Sequence, residues 1–156
     1  MEWLGALGET PVAQALIRWP VLYIFVNAGH ILSLGMLVGA SVILDLRLLG
    51  AFARLPLAET LIVLSRIAAV ALGFAVLTGA HLFSVRPLDY AANTAFLIKI
   101  VLVLLGTANA LVVHRSRDWQ AMAAGAPATA LLRLAALASL VFWLGALLAG
   151  RWIGFL

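Results

Sequence analysis

No cysteine occurs in the 156 residues, which excludes disulfides, thiolate-bound zinc, iron–sulfur clusters and cysteine nucleophiles together. Charge is almost as scarce. Asp, Glu, Lys and Arg make up 10% of the chain and hydrophobic residues 65%, whereas a soluble domain is roughly half apolar and a quarter charged. With a mean hydropathy of +1.16, the composition is that of an integral membrane protein. Polar stretches long enough for a separate soluble catalytic domain are also missing, so any chemistry has to lie inside the membrane bundle or in its short loops. The net charge of +4 reads as topology-setting Lys and Arg at the lipid interface and not as a nucleic-acid footprint.

Four apolar runs approach the ~20 residues that cross a hydrocarbon layer: residues 21–44, 61–85, 94–113 and 129–149. Between them, residues 45–60, 86–93 and 114–128 combine charge with Pro or Gly, as surface loops do. The predicted fold is an all-α, antiparallel four-helix membrane bundle (residues 21–156) preceded by a short interfacial amphipathic segment (residues 1–20). Thr10-Pro11 reads as an N-cap followed by proline at the first helical position, and Trp19-Pro20 as the end of that helix. Trp3, Trp19 and Trp152 are expected at headgroup depth. No cleavable signal is expected, because Glu2 and Glu9 precede the first basic residue, Arg18.

Orientation follows from Lys and Arg. The side of the first and third loops carries Arg47, Arg54, Arg66, Arg115, Arg117 and Arg133, and the other carries Arg18, Arg86, Lys99 and Arg151. Six against four predicts both termini outside and the Arg-rich loops in the cytoplasm. Packing is expected at small residues, since helices in lipid associate through close backbone approach: Gly35/Gly39, Ala69/Gly73, Ala75/Gly79, Gly106/Ala110 and Ala146/Gly150 all stand four apart.

The chemistry-bearing residues are few. On a helical projection Asn27, Ser41 and Asp45 lie within about 60° of His30, whereas Gly35 and Gly39 fall roughly 140° and 180° away. The first span therefore has a sparse polar face and an opposite small-residue face. A histidine inside a span is by default turned to the bundle interior with a partner. His81, in "LTGAHLF", falls in the same half of the bilayer on the antiparallel second span. Two imidazoles facing across an apolar bundle are the ligand set of a b-type haem, with Gly79 making room for the ring and Lys99 as a counter-ion for a propionate. Counting from Arg18 and Arg86 puts His30 at roughly 18 Å depth and His81 at 7 Å, a mismatch for a level pair. The alternative for His30 is an interhelical hydrogen bond.

His114 lies at the other face of the membrane, where a helix C-terminus beside Arg115 and Arg117 suits it structurally. Asp45 with Arg47 or Arg54 is expected to form a pair that locks the first loop to the end of the third span. Asn109 completes the polar positions. No hydrolase triad, metalloprotease helix or phosphate loop is present. Three function classes follow: a haem b protein in electron transfer or a redox subunit, a non-catalytic bundle forming a homo-oligomer or joining a larger membrane complex, and a small transporter or channel lined by Asn27, His30 and Asp45.

The runs "GHILSLGMLVGASVILDLRLLG", "RLPL", "DYAANTAFLIKIVLVLLGTANALVVHR" and "WLGALLAGRWIGF" together resemble a family of small four-span bacterial inner-membrane proteins for which no reaction is settled. That resemblance implies the four-span fold and an inner-membrane location. Carried over residue by residue, it points to His30, Asp45, Arg47, Tyr90, Asn93, Lys99, Asn109, His114 and Arg151. It does not point to His81, where the family pattern has an apolar residue.

Overall fold

The computed structural model describes residues 2–155, and helices account for all the regular structure among them. In chain order these are α1 (Glu2–Gly8), α2 (Pro11–Arg18), α3 (Pro20–Leu48), α4 (Leu57–Val85), α5 (Pro87–Ala92), α6 (Thr94–Arg115), α7 (Arg117–Ala123) and α8 (Ala130–Trp152), followed by a 3-10 turn at Ile153–Phe155. The long apolar helices α3, α4, α6 and α8 are each of spanning length and composition. Outward-facing Leu32, Phe74, Leu104, Val112 and Val141 are all more than half exposed, a lipid-facing surface that water would not tolerate. The chain is a multi-pass membrane protein with an all-α bundle.

Local signals set the boundaries. The Thr10 hydroxyl accepts from the Ala13 amide and Pro11 opens α2; Asn93, Ser116 and Thr129 cap α6, α7 and α8 in the same way through Phe96, Trp119 and Leu132. Each cap satisfies an amide that would otherwise be orphaned at a helix start. The helix expected from Thr10-Pro11 is therefore present, and α1 precedes it. Trp3, Trp19 and Trp152 are exposed near the two termini.

Two departures from the expected segments have packing causes. α3 continues a turn beyond residue 44 because Leu48 is buried with Leu61, Met122, Leu132 and Ala136 in a core at the loop side. The segment after α6 is not plain loop: α7 folds under the bundle and buries Met122 completely.

Helix α3 packs on α4, α8 packs on α6, and α3 also meets α8. Helices α4 and α6 scarcely approach each other. The bundle is consequently an incomplete ring whose gap lies between α4 and α6, and both cavities described next are lined by these two helices with α3.

The glycine pairs divide sharply. Gly35, Gly39 and Gly73 have nothing within 4 Å of where a Cβ would stand, so the GxxxG face of the first span packs on no other helix of this chain. Close approach occurs elsewhere. A Cβ at Gly106 would stand 3.1 Å from the Trp143 ring, at Gly145 3.2 Å from Leu102, and at Gly79 3.1 Å from His30 Cε1.

Candidate functional site

The polar face expected on α3 does turn inward, but it is divided between two cavities. At the end where both termini lie, a cavity of about 820 Å³ is lined by Asn27 and His30 of α3, Ala75, Gly79 and Phe83 of α4, Lys99 of α6, and Gly150 and Arg151 of α8. At the loop end, a cavity of about 410 Å³ takes Ser41 and Asp45 of α3, Asn109 and His114 of α6, and Ser139 of α8. Leu37 and Leu72 line both. With Ala71 and Trp143 they form an apolar partition between the two cavities.

His30 is held firmly. Its Nδ1 stands 3.0 Å from Thr78 Oγ1, and that hydroxyl in turn donates to the Phe74 carbonyl at 2.6 Å. With the threonine hydrogen on the Phe74 carbonyl, Thr78 accepts from His30, and in that Nδ1–H tautomer the lone pair lies on Nε2. Nε2 has no hydrogen-bond partner among the described residues. Gly79 makes room, as expected, but for the imidazole of His30 itself.

His81 occupies a different environment. Its Nδ1 is 2.6 Å from its own helix carbonyl at Leu77, and it lines neither cavity. The expected depth mismatch between His30 and His81 is corrected: His30 contacts Thr78 and Gly79, so the two histidines are within about one helical turn of each other. Counting depth from Arg18 and Arg86 failed because the two arginines are not level: α3 begins at Pro20, a long way before His30, whereas α4 ends at Val85, about one turn after His81, so α3 projects further at this end. What separates the histidines is rotation about α4, since His81 stands two residues, about 200°, beyond Gly79.

Lys99 does not reach away to the surface. Its aliphatic stem lies on Gly150, with Cδ 3.5 Å from the position of a Cβ there, and it shares the termini-side cavity with His30. Arg151 lines the rim, its guanidinium 4.7 Å over the Phe155 ring. Overhead, Phe83 and Phe96 stack at 5.4 Å and Tyr90 leans on both. Sequence reasoning missed Thr78 and this aromatic roof. The threonine was visible only as part of "LTGAHLF", and the roof is assembled from three different helices. Asn93, which caps α6, also reaches the Ile153 carbonyl at 3.5 Å.

Several other expected positions have structural assignments. Arg47 donates through Nε and Nη2 to the Leu55 carbonyl and so ties the first loop to its own helix. The expected Asp45–Arg lock is absent among the described residues: Asp45 Oδ2 is buried with no partner. Asn109 donates to the Ala135 carbonyl at 3.1 Å and joins α6 to α8. His114 bonds back to Ala110 and lies against Trp119, ring centroids 4.1 Å apart. It lines the loop-side cavity, beyond the Leu37–Leu72 partition from His30.

Among the described residues, no three His, Asp or Glu side chains come together as a chelating group. What the termini-side cavity offers is one imidazole held through Nδ1, two cations and an aromatic roof, in an otherwise apolar cleft. Compared with protein-family models, curated proteins and solved structures, the chain matches none of them.

Proposed function

We propose that the chain is a membrane haem-binding protein that holds one b-type haem in the termini-side cavity, with an electron-transfer or redox-subunit role. The observation that carries this reading is the contact of His30 Nδ1 with the Thr78 hydroxyl, itself bonded to Phe74. Nδ1–H held by Thr78 leaves Nε2 as a neutral donor directed by its second neighbour, the arrangement typical of a metal-bound imidazole. The residues fit the group in other respects. A volume of about 820 Å³ lies within the range of about 300–1,000 Å³ usual for small-molecule and cofactor sites. Lys99 and Arg151 supply positive charge for two propionates. Phe83, Phe96 and Tyr90 cover an apolar macrocycle and exclude water. When bound, haem would supply one-electron chemistry at its iron; the protein's part is to orient the imidazole, anchor the carboxylates and keep the site dry.

Because His81 stands outside the cavity, the reading has one axial histidine, His30. This is the form in which the resemblance to the bacterial family also points to His30 and Lys99 and passes over His81. The resemblance supports a bacterial inner membrane, and the distribution of Lys and Arg supports periplasmic termini.

The test is an absorption spectrum of protein purified with ample haem supply. A Soret band is expected, lost in His30→Ala and retained in His81→Ala. Lys99→Met is expected to weaken haem retention by about tenfold, the scale of one charge-assisted contact. A colourless wild-type preparation, or a band indifferent to His30→Ala, would overturn the proposal.

A further inference from the structure

The loop-side cavity is separate from the haem site proposed above and has its own unmet chemistry. We infer that it binds a lipophilic primary ammonium ion, with the head on Asp45, Ser41 and Ser139 and the alkyl chain along the apolar wall.

Asp45 is only 2% exposed, and its Oδ2 has no hydrogen-bond partner among the described residues. A carboxylate withdrawn from water in this way is strongly unfavourable unless a proton or a cation neutralises it. Among the described residues no cation stands at contact distance. Arg66 of α4 and His114 of α6 line the same cavity, but Arg66 is exposed and His114 is engaged by Ala110 and Trp119. Asp45 forms no salt bridge with either within 4.0 Å.

The wall also selects the kind of cation. A hard inorganic ion takes about six or more oxygens. Here the acceptors are the carboxylate, with the Ser139 hydroxyl as its hydrogen-bonding neighbour, and the oxygens of Ser41 and Ser139, because Thr107 is tied to the Val103 carbonyl and Asn109 to Ala135. Other hydroxyls in the spans bond to their own helices, as Ser33 and Ser65 do; those of Ser41 and Ser139 do not. An R–NH3⁺ group has three N–H donors, and it meets three acceptors here. The remaining lining is leucine, alanine and the buried Trp143, suited to an alkyl chain in about 410 Å³. The gap between α4 and α6 gives a lateral approach from the lipid, where such amphiphiles accumulate.

The experiment is titration of the full chain in lipid nanodiscs with octylamine at neutral pH, using octanol and octanoate as neutral and anionic probes of equal length. Saturable octylamine binding is expected, with octanol weaker by about tenfold or more and octanoate silent. The near-isosteric Asp45→Asn should lose octylamine affinity by about tenfold or more while unfolding within a few degrees of wild type, and Ser139→Ala should lose part of it. Equal binding of octylamine and octanol, undiminished binding in Asp45→Asn, or no saturable binding would overturn the inference. If Asp45→Asn fails to assemble, the amine–alcohol comparison on the wild-type protein and the response of Ser139→Ala decide it. None of these readouts passes through the termini-side cavity, so they stand or fall separately from the haem spectrum.

Discussion

Tyr90 sits on α5, outside the spans, with its ring against Phe83 and Phe96. Burial there raises its pKa above the ordinary tyrosine value, with neighbouring Tyr23 acting in the same direction. The folded state therefore disfavours the phenolate. Below the ordinary pKa of about 10 both folded and unfolded chains carry the neutral phenol and Tyr90 contributes no pH dependence. Above it, the unfolded chain releases the proton first, so stability falls as pH rises further. Spectrophotometric titration should show delayed tyrosinate formation that Tyr90→Phe removes, and the alkaline loss of melting temperature should be smaller in that variant. A Tyr90→Phe variant with an unchanged titration curve would show that the roof leaves Tyr90 open to water.

Among the elements, α6 and α8 show best what the sequence revealed and what it hid. Repeats of small residues four apart were legible, and so was the need for close helix approach. Which repeats are used was not, because the small-residue pattern is the same whether the neighbouring surface is a helix or lipid. Gly106 lies under the Trp143 ring, whereas Gly39 meets nothing. Gly106→Leu should therefore force α6 and α8 apart, costing about 1–3 kcal/mol or more, and Gly39→Leu should stay within about 0.5 kcal/mol for the isolated chain. Unfolding in mixed micelles compares the two, and equal losses would contradict the packing described. The polar face of α3 was legible for the opposite reason: a helical projection depends only on one element. Its division into two cavities was not, since Leu37 becomes a partition only when Leu72 and Trp143 arrive from two other helices. Asp45 likewise showed itself as a polar residue of that face, and its lack of a partner emerged only with Ser139 and Arg66 in place.

For the molecule as a whole, the absence of close packing between α4 and α6 sorts the chain into two helical hairpins, α3 with α4 and α6 with α8, joined chiefly along α3 and α8. Residues 1–86 and 87–156, co-expressed as separate polypeptides, are expected to insert and then dock, since each hairpin can satisfy its own backbone in lipid before the two associate. Affinity capture of one half should recover the other, and failure to co-purify would show that covalent connection through α5 is required. His30 belongs to the first hairpin and Lys99 and Arg151 to the second; Asp45 and Ser139 are divided in the same way. Any molecule held by either constellation would span the seam. Its binding energy would then be added to the association of the halves, and ligand supply would govern how long the assembled protein survives in the membrane.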